Sequence, residues 1–287
     1  MKRYPVVLVG RGYWGSRLER YLRASPRFDL RRVCGSDSDL DEVFSDPSVH
    51  AVVEAVPNAV RYEVVRSALL HGKHALTEKP LALTAGRAAG LRRLAASRGL
   101  RLMTDYTHTF SRLIERAAAI ARRGGVGRVR ELELALSRLG RSRGASAYWL
   151  LGSHLLSVLD MFVPLSRLRF KRRDLEGRGR RAESGLLLFR GAGVSGQASV
   201  SLDSPGRRTS VIVRGDRGSI VYDPEAGSPL VIQRPGRRTA YRGDESDNLR
   251  LTLDRFARVL DGKAPTNSDR AVAVTRVLER VLMDRKA

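Results

Sequence analysis

The earliest residues whose types and spacing could do chemistry are Gly10-Arg11-Gly12-Tyr13-Trp14-Gly15. They follow the apolar run Val6-Val7-Leu8-Val9 directly and open a helical pattern. In that setting the three glycines predict a turn that cradles a pyrophosphate. Gly10 permits the tight turn, Gly12 lets the backbone approach the anion, and Gly15 allows close packing of helix on strand. The N–H groups at the helix start favour negative charge. Glycine-rich turns also serve purely structural ends. This one gains weight from its place at the first strand of an α/β run. Tyr13 and Trp14 read as core or interface aromatics.

The second strand bears on which dinucleotide. An acid about 20 residues past the glycines would hold the adenosine ribose hydroxyls of NAD. The place just after Val33-Cys34 holds Gly35 and Ser36, and Asp37 comes two residues late. A missing carboxylate removes repulsion of a 2′-phosphate, and Ser36 and Arg11 could both donate to one. The expected cofactor is therefore NADP, with NAD as the alternative if Asp37 reaches the ribose.

These residues need a scaffold, and the apolar periodicity supplies one. Val6–Gly10, Leu30–Cys34, Ala51–Val56, His74–Thr77 and Leu102–Thr104 read as buried parallel strands. Ser16–Ala24, Arg61–His71 and Thr84–Ser97 between them carry helical spacing. Strand and helix in alternation predict a doubly wound parallel sheet, an α/β Rossmann domain over residues 1–122. Beyond it, 128–138, 184–190, 193–202, 209–214, 218–222 and 229–233 read as strands, with helices over 150–162, 246–261 and 267–284. That pattern predicts an α+β substrate-binding and oligomerisation domain over 123–287. Its sheet would be open, mixed and mostly antiparallel, covered on one face by helices. The C-terminal helix is the segment that could pack back on the first domain.

Composition narrows the classes. Hydrophobic residues make up 42% of the 287, enough for a buried core. No apolar run reaches the ~18 residues of a membrane span. The start, Met1-Lys2-Arg3-Tyr4-Pro5, lacks the long apolar stretch of a secretory signal, so a cytoplasmic protein is expected. The single cysteine, Cys34, excludes an internal disulfide framework and a cysteine-based metal cluster, and reads as a small buried hydrophobe. No metal is expected. The net charge is +23, carried by 47 arginines and six lysines. The basic run 167–181 and the pairs Arg207-Arg208 and Arg237-Arg238 are the densest stretches. Both pairs follow Pro-Gly and so are expected on loops. Nothing resembles a nucleic-acid-binding signature, so nucleic acid is not an expected partner.

With the glycine turn in place, Val52 to Pro80 (VVEAVPNAVRYEVVRSALLHGKHALTEKP) resembles the glucose–fructose oxidoreductase / inositol dehydrogenase family, Gfo/Idh/MocA. The features are Pro57-Asn58, Gly72-Lys73-His74 and Glu78-Lys79-Pro80. The resemblance continues through Asp105-Tyr106-Thr107, Gly127-Arg128-Val129, Tyr148–Met161 and Val213–Asp223, and more loosely through Leu249–Phe256. It implies a nicotinamide-dependent dehydrogenase or reductase, usually of sugars, inositols or nucleotide sugars. Gly10 to Gly15, Ser36, Asp37, Pro57, Asn58, Glu78 and Lys79 would then line the dinucleotide. In the family's turn the backbone of Tyr13 and Trp14, more than their rings, faces the cofactor.

By the same resemblance, Lys79 sits beside the nicotinamide and hydrogen-bonds the reacting oxygen. A lysine there stabilises developing alkoxide charge. Its retention in a chain with six lysines favours a role. His154 matches the family histidine that exchanges a proton with the substrate hydroxyl, a role suited to a pKa near neutrality. The family commonly has an aspartate four residues earlier. Here that place is Leu150, which takes an orienting partner from His154 and favours reduction of a carbonyl or imine. His108 is the reserve acid–base residue, and His50, His71 and His74 read as structural. The leading expectation is hydride transfer on a small sugar-like or nucleotide-sugar substrate, which the arginines could assist if it is anionic. The alternatives are reduction of an imine or of an intermediate tethered to an acidic carrier protein, and a non-catalytic dinucleotide-binding partner protein. A homodimer or homotetramer is implied by resemblance.

Overall fold

The computed structural model describes residues 2–139, 146–177, 182–243 and 247–283. The chain forms two compact units, Met1–Thr107 with Asp247–Thr275, and His108–Ser246 with Arg276–Ala287.

The first unit is built on five parallel strands, β1 (Tyr4–Val9), β2 (Phe28–Cys34), β3 (Ala51–Glu54), β4 (His74–Thr77) and β5 (Leu102–Thr104), in the order β2-β1-β3-β4-β5. All four residues of β3 and all three of β5 are buried, as expected for strands covered on both faces. The covering helices are α1 (Tyr13–Ala24), α2 (Leu40–Ser45), α3 (Asn58–Leu70) and α4 (Ala85–Ser97). α3 packs on α2 and α4, while α1 packs on α7 (Asn248–Leu260), so helices lie on both faces. α2 is not evident from the periodicity, being one short turn-and-a-half capped by Asp39.

The C-terminal segment completes this unit at two places. Asn267 accepts from the Thr104 amide at 2.8 Å and donates to the Thr104 carbonyl at 2.7 Å. Its side-chain amide thus stands in for a neighbouring strand along the edge strand β5. Just past α7, Asp261 accepts from the Tyr4 hydroxyl at 2.7 Å and from Arg27 at 2.8 Å. Burial and the Asp261 carboxylate together push the Tyr4 hydroxyl up to about 12. At the amino ends of β3 and β4, His50 stacks on Tyr4 and meets His74 edge-on at 4.8 Å. Burial drives the His74 pKa down to about 4, so the imidazole is neutral there.

The second unit is an eight-stranded sheet. Its strands are β6 (Val129–Leu139), β7 (Arg169–Glu176), β8 (Ser184–Gly191), β9 (Val194–Ser201), β10 (Asp203–Gly215), β11 (Gly218–Tyr222), β12 (Leu230–Arg234) and β13 (Arg237–Tyr241). The order is β13-β12-β11-β10-β6-β9-β8-β7, antiparallel throughout except for the β6–β9 pair. Leu132, Leu134, Leu187, Ala198, Val213 and Ile220 form its buried face, which α5 (Arg112–Arg122) and α6 (Ser153–Phe162) cover. The helix α8 (Ser268–Met283) begins in the first unit and ends in the second. Position 246, expected at a helix start, lies outside the described residues, as does position 284.

The arginine pairs expected on loops lie in strands. Arg207-Arg208 is inside β10, and Arg237-Arg238 opens β13 immediately after the Pro235-Gly236 turn. Most of the basic run 167–181 is β7, and residues 178–181 lie outside the described residues. β7 escapes notice because charge hides its alternation. Arg172 faces inward instead, held by Asp174 at 3.2 Å and by the Val281 carbonyl at 2.9 Å. α5 escapes because alanines make up most of its buried stripe.

The Tyr4 hydroxyl and Arg27 hold the Asp261 carboxyl below its ordinary value. A depressed folded-state pKa means that the unfolded chain takes up the proton first. The stabilisation is then full above the ordinary aspartate value of about 3.9 and fades as pH falls through the folded value. Asp261→Asn should therefore lower Tm at neutral pH, and the gap to wild type should narrow on acidification, read by circular dichroism melts.

Candidate functional site

In a parallel sheet of this order, ligands bind beyond the carboxyl ends of the strands, where the strand order reverses. Across the first unit those ends carry Gly35–Asp37, Gly10–Gly15, Ala55–Asn58, Glu78–Pro80 and Asp105. The predicted dinucleotide residues thus share one rim, and each glycine has a distinct reason to be there. Gly10 has φ +119°, and a Cβ on it would lie 2.4 Å from the Ala55 carbonyl oxygen. A Cβ on Gly15 would lie 2.0 Å from the Gly10 carbonyl oxygen, so α1 runs against the strand end. At Gly12 nothing lies within 4 Å. The space above Gly12 is what a pyrophosphate needs. α1 also starts at Gly12 with no side-chain cap and no acid in its first turn, leaving its positive end for an anion. Tyr13 and Trp14 are 60% and 40% exposed, packed edge to face, with the Arg17 guanidinium over both rings.

Arg11 leaves this turn and reaches over Gly35. It donates to Asp37 at 3.3 Å and to the Val33 carbonyl at 3.1 Å. Both members of the pair are largely exposed, so their mutual attraction is weak and the guanidinium can turn to another anion. Ser36 is exposed beside them.

The sequence gives no hint of what organises the middle of the rim. Glu54, the last residue of β3, and Arg61 on α3 form an ion pair at 3.0 Å with side-chain exposures of 0% and 5%. Glu54 also accepts from the Thr77 hydroxyl and the Val56 amide. Burial pushes its carboxyl up, while Arg61, Thr77 and the Val56 amide oppose that. Arg61 spends its remaining N–H groups on the Asn58 side chain, on the Val56 carbonyl at 2.7 Å, and on the Lys79 and Pro80 carbonyls at 3.2 Å. It therefore ties the Pro57-Asn58 turn to the Glu78-Lys79-Pro80 turn. The Lys79-Pro80 peptide is cis. Glu78 is buried and accepts from the Lys79 amide at 3.2 Å, and Asp105 is buried one strand away. Lys79 itself is half-buried.

His154 lies in the second unit, at the start of α6, and is buried. His108, also buried in that unit, meets it edge-on with ring centroids 5.0 Å apart. The turn before α6, Tyr148–Gly152, is π-helical: the Ser153 amide bonds the Tyr148 carbonyl five residues back. Leu150 lies within that turn, and His154 lies just beyond it in the first turn of α6. Tyr148 anchors the turn through its hydroxyl to the Arg173 carbonyl and to Asp174, both at 3.0 Å. Among the described residues, no group of histidines, cysteines and carboxylates could hold a metal ion. Among the same residues, no helix is long and apolar enough to cross a membrane.

Comparison with known proteins places the first unit. Residues 33–106 match a family model described as an oxidoreductase family with an NAD-binding Rossmann fold. The chain is 35% identical over 127 residues to an uncharacterized oxidoreductase of Schizosaccharomyces pombe, a match that spans 41% of this chain and 34% of that protein. It is 30% identical over 161 residues to the dTDP-3,4-didehydro-2,6-dideoxy-alpha-D-glucose 3-reductase of Streptomyces antibioticus, covering 56% of this chain and 48% of that one. Among solved structures it resembles GenD2 from gentamicin A biosynthesis, determined in complex with NAD. There the TM-score is 0.84 at 26% identity over 99% of this chain and 95% of that one.

Removing Arg61 alone would leave Glu54 buried without its cation. Arg61→Leu should therefore destabilise the chain by about 3–5 kcal/mol in denaturant unfolding. The double variant Glu54→Leu/Arg61→Leu should recover most of that loss.

Proposed function

Because the chain belongs to the Gfo/Idh/MocA family of oxidoreductases, we propose that it binds NADP(H) along the rim of the first unit and transfers a hydride to or from a sugar-like or nucleotide-sugar carbon. The observation that carries this reading is the space over Gly12 at the uncapped start of α1. That space lies where the backbone N–H groups of the first turn of α1 have no side-chain cap. The nicotinamide supplies the hydride chemistry when bound.

The chain's own residues supply the rest. The Lys79 ammonium would hold the substrate oxygen and stabilise negative charge developing on it. Arg61 and the Glu78 side chain fix the backbone that carries Lys79. His154 would exchange the proton, its imidazole set just past a π-helical turn with the His108 ring edge-on beside it. Arg11, poised over Gly35 and only loosely held by Asp37, is the donor for a 2′-phosphate. The nucleotide-sugar class is supported by the Streptomyces antibioticus 3-reductase, which shares 30% identity over 161 residues.

A second reading, in which the substrate carries an acidic group or an acidic carrier, rests on one cavity of the second unit. Arg167, Arg169 and Arg190 line about 440 Å³ of space, with Ser195. Arg169 and Arg190 stand directly opposite on β7 and β8, a like-charge pairing that an anion would relieve.

Three measurements test the proposal. Gly12→Val should melt like wild type yet weaken NADPH binding by more than tenfold, about 1.4 kcal/mol, in fluorescence titration. Wild type should bind NADPH more tightly than NADH, and Arg11→Ala should erase the difference; a tenfold preference for NADH would instead make Asp37 the ribose ligand. In a screen of NADPH oxidation against carbonyl, imine and nucleotide-sugar compounds, Lys79→Ala should lower kcat by about 10²–10³ on whichever substrate reacts. Unchanged turnover in Lys79→Ala would refute its role.

A further inference from the structure

Glu78 and Asp105 stand one residue beyond the paired Thr77 and Thr104 on adjacent parallel strands. The Asp105 amide bonds the Thr77 carbonyl at 2.8 Å, which carries the register one step further. Neighbouring strands lie about 4.8 Å apart, so the two side chains start from adjacent positions. Both residues are buried, at 8% and 4% exposure. Neither forms an ion pair among the described residues: the nearby guanidinium of Arg61 is committed to Glu54 and to carbonyls. What they do receive is neutral. Asp105 accepts from the Thr252 hydroxyl on α7 at 2.9 Å, and Glu78 accepts from the Lys79 amide.

Two buried carboxylates side by side without a bonded cation cannot both stay ionised. Around them stand Glu54 from β3, Arg61 from α3, Lys79 from the turn after β4 and Thr252 from α7. Burial pushes both carboxyls up, and Glu78 pushes Asp105 further, while Lys79 pulls both down.

We infer that Glu78 and Asp105 share one proton, so that the pair carries a single negative charge and holds the Lys79 ammonium charged. Both are positioning residues for Lys79 in the site proposed above, and the inference rests on that reading only for the use to which Lys79 is put. With one proton on the pair, the two carboxyls and the ammonium together are neutral. A proton lost by Lys79 leaves a charge of −1 on the pair, and that charge draws the proton back.

The test uses the cofactor-free full-length protein. It is reductively methylated with ¹³C-formaldehyde, and each lysine is titrated by NMR. Six lysines give a readable spectrum, with Lys79→Arg assigning its signal. If the proton is shared, Asp105→Asn and Glu78→Gln each leave one ionised carboxylate, and the Lys79 pKa stays at its wild-type value. The double variant removes the charge and should lower the Lys79 pKa by about 1–3. Stepwise lowering by each single variant would mean two ionised carboxylates and would overturn the inference, as would a double variant that changes nothing. Should the double variant not fold, infrared difference spectra decide instead. At neutral pH, wild type minus Asp105→Asn should show a protonated-carboxyl band, and its absence overturns the proposal. A chain that fails to bind either dinucleotide would refute the proposed function and leave these results standing.

Discussion

A carboxylate and a guanidinium taken out of water each lose several kcal/mol of hydration, about what their attraction can return when every remaining donor is also satisfied. Arg61 meets that condition. Its Nε faces Glu54, and its two amino groups are spent on the Asn58 side chain and on three backbone carbonyls from two separate turns. The conformations of the Pro57-Asn58 and Glu78-Lys79-Pro80 turns are thereby linked, since a shift in either unpairs a buried donor. Lys79 owes its placement to an ion pair in which it takes no part.

The strand ends are held by two different kinds of constraint. At Gly10 and Gly15 it is steric: backbone atoms lie so close that no side chain fits. Gly12 is different, because its surroundings would admit a side chain and only an added ligand would forbid one. At β3, β4 and β5 the constraint is electrostatic, with Glu54, Glu78 and Asp105 buried in succession along neighbouring strand ends. One of the three has a bonded guanidinium. Acids so arranged make the rim sensitive to any positive group placed among them, and Lys79 stands among them beside the committed Arg61.

This division also explains what could be read from sequence. The glycine turn is legible because its requirement is local: each glycine answers to backbone geometry within a few residues. The parallel sheet is legible because strands buried on both faces are apolar without interruption, and the mostly antiparallel sheet because most of its strands alternate. Glu54 and Arg61 are not legible. An acid ending an apolar strand and an arginine on a helix read as solvated residues, and their burial follows only from the folded neighbourhood. β7 was hidden for the reverse reason, since charge occupies its inward position at Arg172 as well as its outward ones. The register of the π-helical turn before His154 was likewise out of reach, because nothing in Tyr148–Gly152 marks an extra residue per turn.

Bonds that complete the first unit join residues very far apart in the chain. Thr104 pairs with Asn267 across 163 positions, Asp105 with Thr252 across 147, and Tyr4 with Asp261 across 257. A ribosome therefore delivers the His108–Ser246 part of the second unit before it delivers the residues that cover the edge of β5. During that interval the nascent parallel sheet has an unprotected edge, the kind of surface that recruits foreign strands. The loop-closure entropy of joining such distant segments must also be met before their contacts return anything, which makes completion slow. For this chain the order of synthesis and the order of assembly run in opposite directions, and the last-made helices decide when the first-made strands are finished.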